Sequence, residues 1–133
     1  MKRHPFYYAA EEEEYFFKEG CHILEVMNHH SAPNLSIARA RVAPGVTTVL
    51  HALEGTEVYY ILSGQGDAQI GLETFSVLPH QALYIAPGIP QKITNTGEED
   101  LVFLAICTPR FTNDAYTEIE GKSLEQGDKA SLI

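Results

Sequence analysis

Apolar and polar positions along this chain alternate in short runs, and a period of two sustained over four to eight residues marks half-buried strands rather than helices. Runs rich in β-branched and aromatic residues occupy residues 21–27, 35–42, 47–53, 58–62, 67–71, 73–77, 82–85, 91–95 and 101–107. No segment keeps the helical period long enough to compete with them. Between the runs stand Ser31-Ala32-Pro33-Asn34, Pro44-Gly45, Ser63-Gly64-Gln65-Gly66, Pro87-Gly88 and Asn95-Thr96-Gly97. These supply the positive φ values and fixed turns that reversing strands require. The pattern predicts an all-β sandwich or barrel.

A chain of 133 residues is long enough for one core. Within that single domain, residues 1–34 read as an N-terminal arm and first strand, 35–110 as the barrel core, and 111–133 as a helical turn from Phe111 to Tyr116 followed by a polar tail.

Charge narrows the partners. Nine basic against eighteen acidic residues give a net charge of −9, which repels phosphate backbones and argues against nucleic acid. Four of the acids are consecutive, Glu11, Glu12, Glu13 and Glu14, and read as a solvated face or arm. Cys21 and Cys107 lie far apart in apolar runs, without metal or disulfide spacing, and are expected to be buried thiols. No segment approaches the ~20 apolar residues of a membrane span, and no apolar stretch follows Lys2 and Arg3 as in a signal peptide. A cytoplasmic protein with no membrane partner is the expectation.

Candidate chemistry gathers in the middle of the chain. Alternation places Val49, His51 and Leu53 on one strand face, and a tight turn at Glu54-Gly55-Thr56 is expected to return Glu57, Tyr59 and Ile61 beside them on the next strand. An imidazole and a carboxylate so placed either share a metal ion or hydrogen-bond each other in the core. Tyr59 (or Tyr60, depending on register) and Tyr84 are candidates for an aromatic wall with a hydroxyl, although strand tyrosines also serve as plain packing residues. Arg39 and Arg41 share one strand face. Pointing inward, their guanidinium forks would receive a carboxylate or phosphate; pointing outward, they would pair with surface acids or a neighbouring subunit. His80 is an outlying candidate for a pocket mouth, whereas His29 and His30 read as loop residues.

The run from Gly45 to His51, followed by Glu57 and Gly64, resembles the first motif of the cupin superfamily. The segment Ala86-Pro87-Gly88-Ile89-Pro90-Gln91-Lys92-Ile93-Thr94-Asn95 resembles the second, and the likeness spans about residues 36–107. The resemblance implies a small conserved-barrel cupin, a double-stranded β-helix of the jelly-roll type. A full cupin metal site offers three His and one Glu; here Leu53 stands for the second His of the first motif and Gln91 for the His of the second. The implied site is therefore degenerate. His51, Glu57 and Gln91 would hold one divalent metal (Mn²⁺, Fe²⁺, Ni²⁺ or Zn²⁺) or would fix a ligand without one.

Two functions are consistent with this resemblance. One is a barrel that binds a small polar, sugar-like or carboxylate ligand through Gln91, Tyr59, Tyr84, Arg39 and Arg41. The other is a metal-dependent isomerase, epimerase, lyase or dioxygenase acting on a small sugar or carboxylate, with His51 and Glu57 as the catalytic residues. A homodimer is expected, because an apolar edge strand at residues 21–27 would be protected by pairing with a second subunit.

Overall fold

The computed structural model describes residues 2, 3 and 5–119; the polar tail expected over the last residues lies outside these except at its start. Thirteen strands appear among the described residues. They are β1 (Lys2–Arg3), β2 (Phe6–Tyr7), β3 (Tyr15–Phe17), β4 (Cys21–Met27), β5 (Ser36–Val42), β6 (His51–Leu53), β7 (Thr56–Ser63), β8 (Gly66–Ile70), β9 (Glu73–Val77), β10 (Ala82–Ile85), β11 (Gln91–Asn95), β12 (Leu101–Thr108) and β13 (Tyr116–Glu118). Every strand expected from the pattern is present within a few residues of its predicted limits. No helix among the described residues is long and apolar enough to cross a membrane.

Two antiparallel sheets face each other in the jelly-roll arrangement. One has six strands in the order β10-β7-β12-β5-β4-β3, the other five in the order β13-β6-β11-β8-β9, and β1 with β2 forms a separate ribbon. The core between them follows from alternation: Ala40, Val42, Ile61, Phe103 and Leu101 from the larger sheet meet Ala68, Ile93 and Val77 from the smaller. Burying aliphatic and aromatic surface of this kind contributes about 1.5–3 kcal/mol per large side chain.

Three expectations change here. The turn after Leu53 does not make a hairpin, because β6 lies in the five-stranded sheet and β7 in the six-stranded one. The chain crosses between sheets at Gly55, where a Cβ would come within 2.8 Å of the Thr108 carbonyl and 2.9 Å of the Pro109 ring, so only glycine fits. His51 and Glu57 therefore look at each other across the barrel rather than along one wall. The strand at Cys21–Met27 is not an edge, since β3 pairs with it through Tyr15↔Ile23 and Phe17↔Cys21. Finally, the helical turn shrinks to a 3₁₀ turn at Asn113–Ala115, and the chain continues as β13, pairing Tyr116 with Leu53 and Glu118 with His51. Polar Thr117 and Glu118 gave no apolar run by which to recognise that strand.

The acidic arm is tied down. Glu11–Glu13 form a 3₁₀ turn lying against the outer face of the larger sheet, where Glu11 and Glu14 meet Arg39 and Glu14 meets Arg41.

Candidate functional site

Two rows of side chains converge at one end of the barrel. Register aligns Ser36, Cys107 and Glu57 across β5, β12 and β7, and the buried class of all three shows that they face inward. On the opposite sheet, β6 is held between β11 and β13, with Gln91 and Glu118 both paired to His51. Gln91 spans the gap: its Nε2 donates to Glu57 Oε1 at 2.7 Å. The Cys107 thiol lies 3.7 Å from Glu57 Oε2.

His51 is anchored by a residue that the motifs did not point to. Its Nδ1 lies 2.7 Å from the Val49 carbonyl, which can only accept, so Nδ1 carries a proton. Its Nε2 lies 3.1 Å from Glu19 Oε2. That contact needs a further proton, on the imidazole or on the carboxyl, and the pair holds it in common. Glu19 sits in the turn between β3 and β4. The turn is docked by the Val49 N–H donating to the Glu19 carbonyl at 2.7 Å, and Gly20 with φ 96° allows the reversal. The other Glu19 oxygen accepts the Cys21 thiol at 3.1 Å. Far from His51 in sequence and outside either motif, Glu19 left no spacing signal. Tyr116 on β13 completes the cluster, its ring stacked on His51 with centroids 5.0 Å apart.

These groups open on a cavity of about 50 Å³, room for a few waters or a similar number of ligand atoms. Its lining includes Glu19, His51, Leu53, Glu57 and Cys107 together with Tyr15, Phe17, Glu25, Phe111 and Tyr116. Complete burial, with the Glu19 charge behind it, pushes the Glu57 carboxyl up to about 8. Glu57 is therefore mostly protonated at neutral pH, and a neutral carboxyl can both donate and accept. Burial raises both cysteine thiols, so neither is a ready nucleophile. Of the three buried side-chain polar atoms without a hydrogen-bond partner among the described residues, Arg39 Nε lies on the outer face, and Gln91 Oε1 and Tyr116 Oη belong to this cluster.

Several candidates lie elsewhere. Arg39 and Arg41 project to the opposite face of β5 from Ser36 and Ala40. Arg39 pairs with Glu11 and Glu14, and Arg41 with Glu14 and Asp100. A solvated, multiply paired guanidinium avoids the desolvation that an inward one would suffer. Tyr84 is 65% exposed and shares the outward row of Val58. Tyr59 does face inward, but it packs on Phe103, centroids 4.4 Å apart, in the apolar core rather than in the cavity lining. His80 faces Tyr60 on the outside. The structure thus brings together His51, Glu57 and Gln91, adds Glu19 and Tyr116, and leaves Arg39, Arg41, Tyr59 and Tyr84 outside the cavity.

The donor set does not fit a resident metal. Among the described residues, no three His, Cys, Asp or Glu side chains converge to hold an ion. Leu53 brings no lone pair, His51 Nε2 is turned to Glu19, and Gln91 presents its N–H to Glu57. Divalent ions need deprotonated, convergent donors.

Comparison with known proteins accords with the barrel. The family profile described as a cupin domain matches residues 38–107. An uncharacterised protein, MJ1618, of Methanocaldococcus jannaschii is 34% identical over 103 residues, covering 75% of this chain and 82% of its own. The oxalate-binding protein of Thermotoga maritima is 34% identical over 89 residues, 66% of this chain and 73% of its own. Among solved structures, oxalate decarboxylase from Bacillus subtilis superposes with a TM-score of 0.73 at 20% identity, over 86% of this chain and 32% of that one.

Proposed function

The chain belongs to the cupin family, and on that footing we propose that its barrel is a binding module for a small, non-anionic polar molecule, held without a resident metal between Glu19, His51 and Glu57. One observation carries this reading: no Lys or Arg lines the cavity, so neither a guanidinium fork nor an ammonium stands there to receive an anion. A small pocket with a few convergent polar groups on apolar walls is the usual form of a ligand site. The relative named for oxalate binding supports small-molecule binding in this barrel type. A dianion in this pocket, however, would find no Lys or Arg among the lining residues to balance it.

The test is a thermal-shift and calorimetric screen of neutral, cationic and anionic small molecules against the full chain and its His51→Ala variant. The expected hits are neutral or cationic and are lost in the variant. Hits confined to carboxylates, or hits indifferent to His51, would overturn the reading.

A second reading has its own observation. Glu57 holds a proton on one side of the cavity while Glu19 and His51 hold another between them on the other side, and titratable groups poised differently across a pocket are the arrangement of acid–base catalysis. An isomerase, epimerase or lyase working by proton transfer would exchange substrate protons with solvent. Incubation of small hydroxycarbonyl compounds in D₂O, followed by NMR, would show deuterium entering with the native chain and not with Glu57→Gln. No exchange would dismiss it.

Homodimerisation belongs to the same reading. The outward face of the six-stranded sheet carries Val58, Tyr60, Leu62, Tyr84 and Leu104, of which Leu62 and Tyr84 are exposed, and exposed apolar patches commonly mark interfaces. Light scattering at micromolar concentration is expected to give the dimer mass; a monomer mass would reject it.

A further inference from the structure

The cavity is smaller than most ligand sites. Its volume of about 50 Å³ falls well short of the roughly 300 Å³ at which such pockets begin. A molecule of ordinary metabolite size that reaches His51 and Glu57 therefore leaves most of its bulk outside, and the surface beyond the mouth selects that bulk.

One groove continues from the cavity. Its volume is about 340 Å³, and five of its eight lining residues, Tyr15, Phe17, Glu25, Asn28 and Phe111, line the cavity as well. The groove adds Arg110, Thr112 and Asn113, all polar. By size it falls within the usual range of a ligand site.

A chain of hydrogen bonds runs along one wall of the groove. The Tyr15 hydroxyl donates to Glu25 Oε1 at 3.0 Å, Asn28 Nδ2 to Glu25 Oε2 at 2.6 Å, and Arg110 Nη1 to Asn28 Oδ1 at 2.8 Å. Asn28 Nδ2 also meets the Phe111 carbonyl at 3.0 Å, which ties the end of β4 to the segment after β12. That segment is pinned twice more, by the Arg110 N–H donating to the Pro33 carbonyl at 3.1 Å and the Phe111 N–H to Ser36 Oγ at 2.9 Å. The wall is thus ordered without a ligand, which lowers the entropic cost of binding one.

Its charges offset each other. A neutral amide, Asn28, separates one carboxylate from one guanidinium, and among the described residues Arg110 forms no ion pair. Arg110 spends one N–H on Asn28 and keeps the rest of its fork, Glu25 keeps spare lone pairs, and the Thr112 hydroxyl and Asn113 amide stand exposed. Donors and acceptors at short intervals with no net charge match neighbouring hydroxyl groups, each of which both donates and accepts. A carboxylate along this wall would meet Glu25, and an ammonium would meet Arg110.

The groove also has an apolar side. Tyr116, already stacked on His51 and met by Lys18 Nζ at 4.5 Å, does not line it. Phe111 and Tyr15, the latter 41% exposed, do. Flat aromatic surface beside planar polar groups suits a saturated ring with apolar C–H faces and a hydroxylated edge.

We infer that the groove seats the body of a neutral polyhydroxylated ring, a monosaccharide or cyclitol of roughly ten to twelve non-hydrogen atoms. Its hydroxyls lie along Glu25, Asn28 and Arg110, and one substituent reaches through the mouth to His51 and Glu57. The inference rests on the small-molecule reading and names its ligand class and outer seat.

The experiment is calorimetric titration of the full chain with xylose, glucose, galactose, mannose and myo-inositol. Ethane-1,2-diol serves as a probe that fits the cavity alone, cyclohexanol as a ring without the hydroxylated edge, and glucuronate and proline as charged rings. At least one of the polyhydroxylated rings is expected to bind at least about tenfold more tightly than the diol, cyclohexanol or either charged ring. Arg110→Met, which keeps length without the fork, and Thr112→Trp, which fills the groove from an exposed position, should each bring that ring down towards the affinity of the diol. His51→Ala should weaken the ring and the diol together. Circular dichroism and melting temperature establish that each variant folds.

Rings no tighter than the diol would overturn the outer seat and leave the cavity reading standing, since the diol reports the cavity alone. Cyclohexanol matching the polyhydroxylated rings, or glucuronate or proline exceeding them, would overturn the ligand class. Ring affinity indifferent to both groove variants would overturn the placement, and indifference to His51→Ala would break its link to the cavity. Absence of binding by every probe would overturn the inference, and the wider screen would then decide the binding reading separately.

Discussion

Glu19 Oε2 lies 3.1 Å from His51 Nε2, so the histidine of the first cupin motif is committed to a carboxyl from the N-terminal part of the chain. The commitment has an energetic consequence. Glu19→Ala would strand the His51 Nε2 and the Cys21 thiol in a buried site, and unsatisfied buried groups cost about 1–3 kcal/mol each. Glu19→Gln retains an amide that can donate to a neutral imidazole. Urea unfolding should therefore show the alanine variant destabilised by about 2–3 kcal/mol and the glutamine variant by less than about 1 kcal/mol. Equal losses would show that charge, rather than the hydrogen bonds, holds the pair.

Glu57 makes stability depend on pH in a defined direction. Its folded value of about 8 stands above the ordinary 4.5, so between those values the native chain holds a proton that the unfolded chain has released. Stability from this group is then complete below about pH 4.5 and falls as pH rises towards 8. Glu57→Gln removes this slope. Across that interval the native chain should lose on the order of a few kcal/mol relative to the variant in paired denaturation curves. Parallel curves would contradict a buried neutral carboxyl.

Glu14 predicts the opposite slope. Its contacts with Arg41 at 2.7 Å and Arg39 at 3.2 Å hold it down to about 2, so its contribution is present above pH 4.5 and fades as pH falls towards 2. These pairs are partly open to solvent, which limits their worth. Glu14→Gln should cost roughly 1 kcal/mol at neutral pH, less in high salt, and nothing near pH 2. A loss that persists in acid would point to packing of the arm instead.

Much of this architecture was legible because period-two alternation reports directly on which face is buried. The runs around Ile93, Phe103 and Val42 had one available assignment, and Gly45, His51, Glu57 and Gly64 carried the family resemblance. The crossover at Gly55 was not legible. A short loop between strands reads as a hairpin, and only the close approach of Thr108 and Pro109 shows that the chain changes sheets there. Strands β3 and β13 are short and half-polar, so alternation gave them no contrast. Their absence from the sequence reading concealed Phe17, Glu19 and Tyr116, which now define one side of the cavity. Arg39 and Arg41 shared a face that alternation identified but could not orient; the acids of the arm decided it.

The central claim, a small-molecule cavity that works without a resident metal, is tested most directly by measuring metal content and ligand affinity on the same preparation. Protein purified without chelators and offered Mn²⁺, Fe²⁺, Ni²⁺ and Zn²⁺ in turn would be analysed by mass spectrometry, then titrated with its tightest-binding probe before and after EDTA. The account predicts only substoichiometric metal and an affinity unchanged by the chelator. One equivalent of a divalent ion per chain, lost in His51→Ala and needed for ligand binding, would contradict it.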